Sequence, residues 1–264
     1  MINAILIAAA VLGGMGVLFG LILTFADKKF AVPVDERVTR VREAVSGANC
    51  GACGYPGCDG YAEAVVKGEA PINLCTPGGQ KTLDAFSEIM GQSAELADPV
   101  VARVLCQGEH EVVKTRYEYA GMQSCHTAAS LAGGPTMCQW GCVGLGDCVR
   151  VCAFDAISIV NGIVNIDEEK CTACGMCVAE CPRSVIKLLP KSAKITVRCQ
   201  NAAPPKEAKD ACEKACLGCK RCEKACQFDA IHVTNGVASI DPEKCTMCGE
   251  CAKVCPTKCI EQLA

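Results

Sequence analysis

The first 26 residues, MINAILIAAAVLGGMGVLFGLILTFA, contain no ionisable side chain. An apolar stretch of this length crosses a bilayer core as a helix, so the pattern predicts a transmembrane helix over residues 1–26. No basic residue precedes the apolar run, which argues against a cleaved signal peptide. The positive-inside rule predicts a single-pass protein of the inner (cytoplasmic) membrane, with the N-terminus outside and the rest of the chain in the cytoplasm. That rule rests on the basic residues after the run: Lys28, Lys29, Arg37, Arg40 and Arg42.

Three short amphipathic helices are predicted between residues 34 and 91, where apolar side chains recur at intervals of three and four positions. The second, over residues 59–67, ends at Gly68, and the third ends at Gly91. The apolar positions of the first and third helices are Val34, Val38, Val41, Val45, Leu83, Phe86, Ile89 and Met90. Four cysteines lie among these helices, so we predict a small helical module over residues 27–91.

The rest of the chain contains an internal repeat. Residues 152–181, CAFDAISIVNGIVNIDEEKCTACGMCVAEC, align with residues 226–255, CQFDAIHVTNGVASIDPEKCTMCGECAKVC, at a shift of 74 positions, and 17 of the 30 residues are identical. Duplication at this level indicates two copies of one folded unit. In each copy, FDAI, an Asn-Gly pair and an apolar phrase predict a strand, a turn and a second strand. We expect the two units to occupy residues 92–190 and 191–264.

Cysteine composition changes this picture from an ordinary fold to a metal-dependent one. The chain has 25 cysteines and only 4% aromatic residues. A conventional hydrophobic core would therefore contribute little stability, and the fold needs additional cross-links such as bound metal. Disulfides are disfavoured because the cysteine count is odd, the spacings are tight and the predicted compartment is reducing. Soft thiolate ligands select zinc, copper(I) or iron–sulfur clusters.

The cysteine spacing favours iron–sulfur clusters over zinc. Zinc sites pair two C-x2-4-C knuckles across a longer loop. The phrases CTACGMCVAECP and CTMCGECAKVCP instead match C-x2-C-x2-C-x3-C-P, whose first three cysteines hold one [4Fe-4S] cluster and whose fourth reaches a second cluster. The sequence therefore predicts two units of the bacterial ferredoxin type, each with two clusters.

This crossover rule assigns four cysteines to each of four sites, and the N-terminal module adds a fifth. In the module the spacing C-x2-C-x4-C-x16-C makes all four ligands local. The spacing from Cys138 to Cys148 departs from the motif, because it is x3 and x5. The predicted sets are Cys50, Cys53, Cys58 and Cys75; Cys138, Cys142, Cys148 and Cys181; Cys152, Cys171, Cys174 and Cys177; Cys216, Cys219, Cys222 and Cys255; and Cys226, Cys245, Cys248 and Cys251.

Five cysteines remain outside these sets: Cys106, Cys125, Cys199, Cys212 and Cys259. Two lie before each repeat, and Cys106 and Cys199 stand in the similar phrases VLCQ and VRCQ. One interpretation is a sixth cluster with two ligands from each repeat: Cys106, Cys125, Cys199 and Cys212. The alternative is that they are buried free thiols, which are common. Cys259 is interpreted as structural.

Charge and other motifs exclude several functions. The net charge of −3 argues against nucleic-acid binding, and neither a phosphate-binding loop nor a dinucleotide fingerprint is present. No catalytic residue is predicted on this chain. One basic run is either a solvated face or a docking surface for an acidic electron carrier. It comprises Lys206, Lys209, Lys214, Lys220, Arg221 and Lys224.

The order of these motifs resembles one protein family. An apolar N-terminus, NCGACGYPGC…NLC, GGPTMCQWGCVGLGDCVRVC and two ferredoxin-like phrases together look like the B subunit of the Rnf complexes, RnfB, in a long form with a duplicated ferredoxin-like region. The resemblance implies an α+β electron-transfer subunit of a membrane complex that couples ferredoxin/NAD electron transfer to Na⁺ or H⁺ translocation. It implies soluble ferredoxin and other Rnf subunits as partners, and places the flavins and the nicotinamide site on those subunits.

Two other functions are compatible with the residues. A membrane-anchored polyferredoxin serving another reductase would carry the same clusters without Rnf partners. A zinc-stabilised interaction module would carry the cysteines without redox activity. Metal analysis distinguishes the second of these from both electron-transfer proteins.

Overall fold

The computed structural model describes residues 2–30, 35–95 and 99–263, and within the first helix it leaves out the side chains of residues 2–10, 27, 28 and 30. Helix α1 comprises Ile2–Phe30. Within the described residues, no helix combines the length and apolar character needed to cross a membrane. The predicted transmembrane helix is therefore not supported by the described part of the chain. Met1 and the side chains of residues 2–10, on which part of that prediction falls, lie outside the described residues.

The N-terminal module consists of four short helices around one core. Helix α2 (Glu36–Ala44), α3 (Gly57–Lys67), a 3-10 turn (Thr76–Gly78) and α4 (Gly79–Met90) follow in sequence. The three predicted amphipathic helices are confirmed, although Val34 lies outside the described residues. Helices α3 and α4 end at glycines in the left-handed conformation, Gly68 and Gly91, because glycine adopts that conformation without steric cost. Tyr61 and Phe86 are fully buried between the helices, with ring centroids 5.9 Å apart.

The first ferredoxin-like unit is built on two antiparallel strand pairs. The elements are β1 (Val100–Val104), α5 (Cys125–Ser130), α6 (Asp147–Arg150), β2 (Ile157–Val160), β3 (Ile163–Ile166), α7 (Met176–Glu180) and β4 (Ile186–Pro190). Strands β2 and β3, which are neighbours in sequence, form a hairpin. Strands β1 and β4, which are far apart in sequence, form the outer pair.

The second unit repeats this topology. The elements are β5 (Ile195–Val197), α8 (Pro205–Ala211), α9 (Arg221–Ala225), β6 (Ile231–Thr234), β7 (Val237–Ile240), α10 (Glu250–Lys253) and β8 (Ile260–Gln262). Strand β6 forms a hairpin with β7, and β5 pairs with β8 as the outer pair. The predicted strand–turn–strand pattern is confirmed in both units. Each hairpin turns at an Asn-Gly pair with both φ angles positive, at Asn161 and Gly162 and again at Asn235 and Gly236, which is the geometry that a two-residue turn of type I′ requires.

The two units contact each other through segments that precede their first clusters of cysteines. Val113 pairs with Cys212 in an isolated antiparallel bridge. On either side of it, Lys114 N donates to Ala211 O at 3.0 Å and Glu213 N donates to Val112 O at 3.1 Å. Backbone hydrogen bonds thus link the two units on both sides of this bridge, and Cys212 lies within the join.

Candidate iron–sulfur sites

The four cysteines of the N-terminal module line its core and the adjoining loop. Cys53, Cys58 and Cys75 pack with the buried residues of the module, and Cys50 lies just before Cys53 in the same loop. Asn49 Oδ1 accepts from the backbone N of Cys58 at 2.8 Å, which ties the loop to the first turn of α3. The structure therefore keeps this predicted group together.

Tyr61 positions the most distant member of that group. Its hydroxyl donates to Pro71 O at 2.8 Å and accepts from Leu74 N at 3.1 Å, so it holds the segment that carries Cys75. Burial raises the pKa of Tyr61 to about 12, and the nearby sulfur of Cys75 acts in the same direction. The tyrosine hydroxyl is consequently a neutral hydrogen-bonding group at physiological pH.

Cys152, Cys171, Cys174 and Cys177 converge as predicted. Burial raises the pKa of Cys177 to about 12, and the sulfurs of the other three cysteines contribute in the same direction. Ala102 N donates to Cys171 Sγ at 3.4 Å, so strand β1 supports this group from the side.

One cysteine of the N-terminal module lies near this group. Burial raises the pKa of Cys174, and among neighbouring sulfurs that of Cys50 has the largest effect, ahead of Cys152 and Cys171. Cys50 of the module therefore lies near enough to Cys174 to affect its thiol. Sequence spacing carries no signal for this proximity, since it involves two separately folded units.

The structure corrects one predicted group. Cys125, and not Cys138, lies with Cys142, Cys148 and Cys181, and these four line a single cavity. Burial raises the pKa of Cys148 to about 12, with added contributions from the sulfurs of Cys142, Cys125 and Cys181. The repeat explains why Cys125 joins this group. Cys219 of the second unit corresponds, at the 74-residue shift, to Leu145, so the first unit lacks a local cysteine at that position. A cysteine from outside the motif takes its place.

Asp147 holds Cys125 in this position, and the sequence motifs did not single it out. Its side chain is buried, and Oδ2 accepts from Ser124 Oγ at 3.1 Å and from His126 N at 3.3 Å. Arg150 pairs with the other carboxylate oxygen. Because Asp147 directly precedes Cys148, these bonds fasten the Cys125 segment to the turn that carries the neighbouring thiol. In the sequence, this arrangement is visible only as a serine and a histidine on either side of Cys125 and an aspartate directly before Cys148.

Cys138 lies instead with the cysteines left over from the motifs. Cys106, Cys138, Cys199 and Cys212 line one cavity at the join between the units, together with Arg198 and with Cys142 of the neighbouring set. The predicted sixth group of Cys106, Cys125, Cys199 and Cys212 is thus corrected at one member. The two corrections are a single exchange of Cys125 and Cys138.

The second unit keeps both of its predicted groups. Cys226, Cys245, Cys248 and Cys251 line one cavity, and Ala230 N donates to Cys226 Sγ at 3.4 Å. In the other group, burial raises the pKa of Cys222 to about 11, and the sulfurs of Cys216 and Cys219 add to it. Cys255 completes that group beside Cys216, whose pKa it also influences.

The separation of the thiols bears on the choice of metal. A single tetrahedral zinc ion with Zn–S bonds of about 2.3 Å holds its sulfurs about 3.8 Å apart. Among the described residues, however, no three cysteine sulfurs lie within 4.8 Å of one another; the one group that does is His126, Asp147 and Glu180, where Arg150 already pairs with Asp147. A [4Fe-4S] core carries its irons at four corners and needs thiolates that lie farther apart than those around one zinc ion.

Tandem ferredoxin-like units, a separate four-cysteine module and wide thiol groups define a multi-cluster iron–sulfur protein of the electron-transfer class. Comparison with protein families agrees: residues 47–77 match an Fe-S cluster family, residues 164–187 a 4Fe-4S binding domain and residues 215–259 a 4Fe-4S dicluster domain.

Similarity to known proteins extends over nearly the whole chain. It is 46% identical to the B subunit of the Na⁺-translocating ferredoxin:NAD⁺ oxidoreductase complex of Acetobacterium woodii, over 98% of this chain and 78% of that protein. It is 38% identical to the B subunit of the ion-translocating oxidoreductase complex of Methanosarcina acetivorans, over 99% of both chains. Identity to the B subunit of the proton-translocating ferredoxin:NAD⁺ oxidoreductase complex of Clostridium ljungdahlii is 38%, over 99% of this chain and 93% of that protein. The chain belongs to the family formed by the B subunits of ion-translocating oxidoreductase complexes.

Proposed function

We propose that this chain is the iron–sulfur electron-transfer subunit of a membrane complex that couples electron transfer between ferredoxin and NAD to the translocation of Na⁺ or H⁺. The relatives named above support the assignment to such a complex. The observation that carries it is the convergence of thiols from separate segments of the chain into groups of four. The chain itself relays electrons, and the reactions at NAD and at the ion path belong to other subunits.

Five sets of thiols would each hold a [4Fe-4S] cluster, which accepts and donates single electrons when bound. The thiols fit such clusters because they are widely spaced and accept backbone N–H groups. Burial raises the pKa of Cys148 and of Cys177, so cluster binding displaces protons from these two sulfurs. The proposed sets are Cys50, Cys53, Cys58 and Cys75; Cys125, Cys142, Cys148 and Cys181; Cys152, Cys171, Cys174 and Cys177; Cys216, Cys219, Cys222 and Cys255; and Cys226, Cys245, Cys248 and Cys251.

Contacts between sets suggest the order of the relay. The module set reaches the first unit where Cys50 approaches Cys174. Within that unit, Cys177 of one set is among the groups that affect Cys148 of the other. In the second unit, Cys222 and Cys251 lie in one hydrophobic core. The N-terminal module is therefore one end of the relay and the second unit is the other.

A membrane anchor at the N-terminus is part of this proposal. The support is a run of 26 residues without an ionisable side chain, continued in helix α1, whose large apolar side chains from Val11 to Phe25 are exposed. Exposed apolar surface on this scale needs a covering environment such as lipid or other subunits. The basic residues after it place the cluster-binding part in the cytoplasm. The proposed division of the chain is a membrane anchor over residues 1–26, a four-cysteine module over 27–91 and ferredoxin-like units over 92–190 and 191–264.

Soluble ferredoxin would dock on the second unit. Five basic side chains there are exposed, while Lys214 is half-buried and faces the join between the units. A basic surface attracts an acidic electron carrier and speeds its encounter. The exposed residues are Lys206, Lys209, Lys220, Arg221 and Lys224.

Anaerobic purification of the tagged chain from membranes tests this function. Iron, sulfide and zinc are measured on the same sample as the co-purifying subunits. We expect about 20 iron atoms from the five sites, four for each, and stoichiometric membrane and NAD-reactive subunits. Colourless protein with zinc would refute the electron-transfer function. A full iron content with a different reductase as partner would instead identify the alternative, a polyferredoxin that serves another complex.

A further inference from the structure

Four thiols outside the five sets meet at the join between the two ferredoxin-like units. We propose that Cys106, Cys138, Cys199 and Cys212 bind a further [4Fe-4S] cluster, which carries electrons from one unit to the other. The inference rests on the proposed electron-transfer function, because it extends the same relay. It differs from the sequence interpretation by taking Cys138 in place of Cys125.

The four thiols converge although up to 106 positions separate them in sequence, from Cys106 to Cys212. They line one cavity, and Cys106, Cys138 and Cys212 are each less than a tenth exposed. Gly141 lies between two of them: a Cβ at this position would lie 3.4 Å from Cys138 Sγ and 3.5 Å from Cys106 Sγ. Any larger residue there would fill the space beside both sulfurs.

Two of the four sulfurs accept the backbone N–H of the residue two positions later. Gly108 N donates to Cys106 Sγ at 3.3 Å, and Asn201 N donates to Cys199 Sγ at 3.4 Å. Such N–H···S bonds stabilise negative charge on sulfur, which a cluster ligand carries and a neutral thiol does not.

The site has the symmetry of the repeat. Cys106 follows β1 and Cys199 follows β5, the equivalent strands of the two units. Cys138 and Cys212 stand at corresponding positions, 74 residues apart. Each unit therefore contributes one cysteine after its first strand and one cysteine before its first cluster loop. Neither unit has a complete set of four alone.

Polar and cationic side chains surround the thiols. Asn201 is 1% exposed, and its Nδ2 donates to Cys138 Sγ at 3.7 Å. Arg183 donates to Cys138 O at 2.8 Å and to Gly141 O at 3.1 Å, and Arg198 donates to Cys106 O at 3.0 Å. A cluster with four thiolates is an anion, and two guanidinium groups beside it offset its charge.

The position of this site gives it a role in the relay. Cys142 N donates to Cys106 Sγ at 3.4 Å, and Cys216 N donates to Cys199 Sγ at 3.2 Å. Cys142 and Cys216 belong to the neighbouring sets in the first and second units. The new site thus contacts both units through residues that hold their clusters, and it completes a continuous path from the second unit to the N-terminal module.

The test uses combined alanine variants in the full-length chain, purified anaerobically. The intact chain should hold about 24 iron atoms, four for each of six sites, and Cys106→Ala/Cys212→Ala should lose about four. Adding Cys138→Ala should remove no more iron, whereas adding Cys125→Ala should remove about four more. The opposite result would restore the set containing Cys125. Unchanged iron in the double variant would show that these are ordinary buried thiols.

A second measurement separates electron transfer from folding. With reduced ferredoxin as donor, rapid-freeze EPR should show the second unit of the double variant reduced and the first unit oxidised. Glu118→Ala, which changes an exposed residue of the first unit outside all six sets, is the control and should leave iron content and electron transfer between the units unchanged. Reduction of both units at the normal rate in the double variant would overturn the bridging role. Absence of iron from the intact chain would refute the proposed function itself.

Discussion

Cys259 Sγ lies 3.6 Å from Cys255 Sγ in the second unit, whereas the equivalent residue of the first unit is Val185. Both side chains are almost fully buried, with 2% of Cys259 and 1% of Val185 exposed. The two units therefore differ by one thiol at the same place in the packing. Donation from the Cys259 thiol lowers the pKa of Cys255 to about 4, so it stabilises negative charge on that sulfur.

This relationship predicts a difference in reduction potential. A hydrogen bond to a ligand sulfur favours the more negative, reduced cluster and so raises its potential. If the bond contributes about 1 kcal/mol, Cys259→Val should lower the potential of the Cys216, Cys219, Cys222 and Cys255 cluster by about 40 mV for a one-electron couple. An EPR-monitored redox titration measures the shift.

The repeat supplies the reciprocal control. Val185→Cys places a thiol beside Cys181 and should raise the potential of the Cys125, Cys142, Cys148 and Cys181 cluster. Equal potentials for native protein and both variants would show that the Cys259 thiol makes no hydrogen bond to the bound cluster's ligand.

Asp147→Ala should loosen the Cys125 segment. The substitution removes the acceptor of two part-buried hydrogen bonds, from the N–H of His126 and the hydroxyl of Ser124, at a cost of about 1 kcal/mol each. We expect faster loss of about four irons to a chelator, and no change at the other sites. Asp229→Ala is the matched control, because its ion pairs with Lys244 and His232 are exposed and contribute little. Equal iron loss in the two variants would contradict a positioning role for Asp147.

Removal of the module cluster should separate the relay from its membrane end. The sulfur of Cys50 is near enough to Cys174 to affect its thiol, so the module is next to the first unit in the proposed relay. In a Cys53→Ala variant assembled in the complex, we expect ferredoxin to reduce the clusters of both units while electron flow to NAD stops. Continued NAD reduction at the normal rate would place the terminal hand-over elsewhere.

The cluster-free protein should lose stability in alkali. Burial raises the pKa of Cys148 and of Cys177 from 9.0 to about 12, so the folded state keeps protons that the unfolded chain loses. Stability from these groups is fully present below pH 9 and is lost as the pH rises from about 9 to 12. Melting temperatures of the apoprotein across this range measure the loss. Cys148→Ala/Cys177→Ala should show a shallower pH dependence, and an identical profile would exclude these thiols as the cause.

The spacing of residues along the chain was sufficient to predict most of the helices and strands and most of the cysteine groups. The Asn-Gly turns at Asn161 and Asn235 demand positive φ at two successive residues, and that requirement is readable in the chain. Likewise, thiols in C-x2-C-x2-C lie within one loop, so their grouping follows from chain geometry before any packing is considered. The helices that end at Gly68 and Gly91 were predictable for the same local reason.

Only the tertiary structure decided the exchange of Cys125 and Cys138 and the proximity of Cys50 to Cys174. Cys125 reaches Cys148 because Asp147, buried beside it, fastens two segments more than twenty positions apart. Cys138 reaches Cys212 because the two units hydrogen-bond through Val112 and Lys114. Such pairings depend on how separate segments pack. Spacing along the chain holds no record of them, since a long loop lets a thiol reach any neighbouring group at little entropic cost.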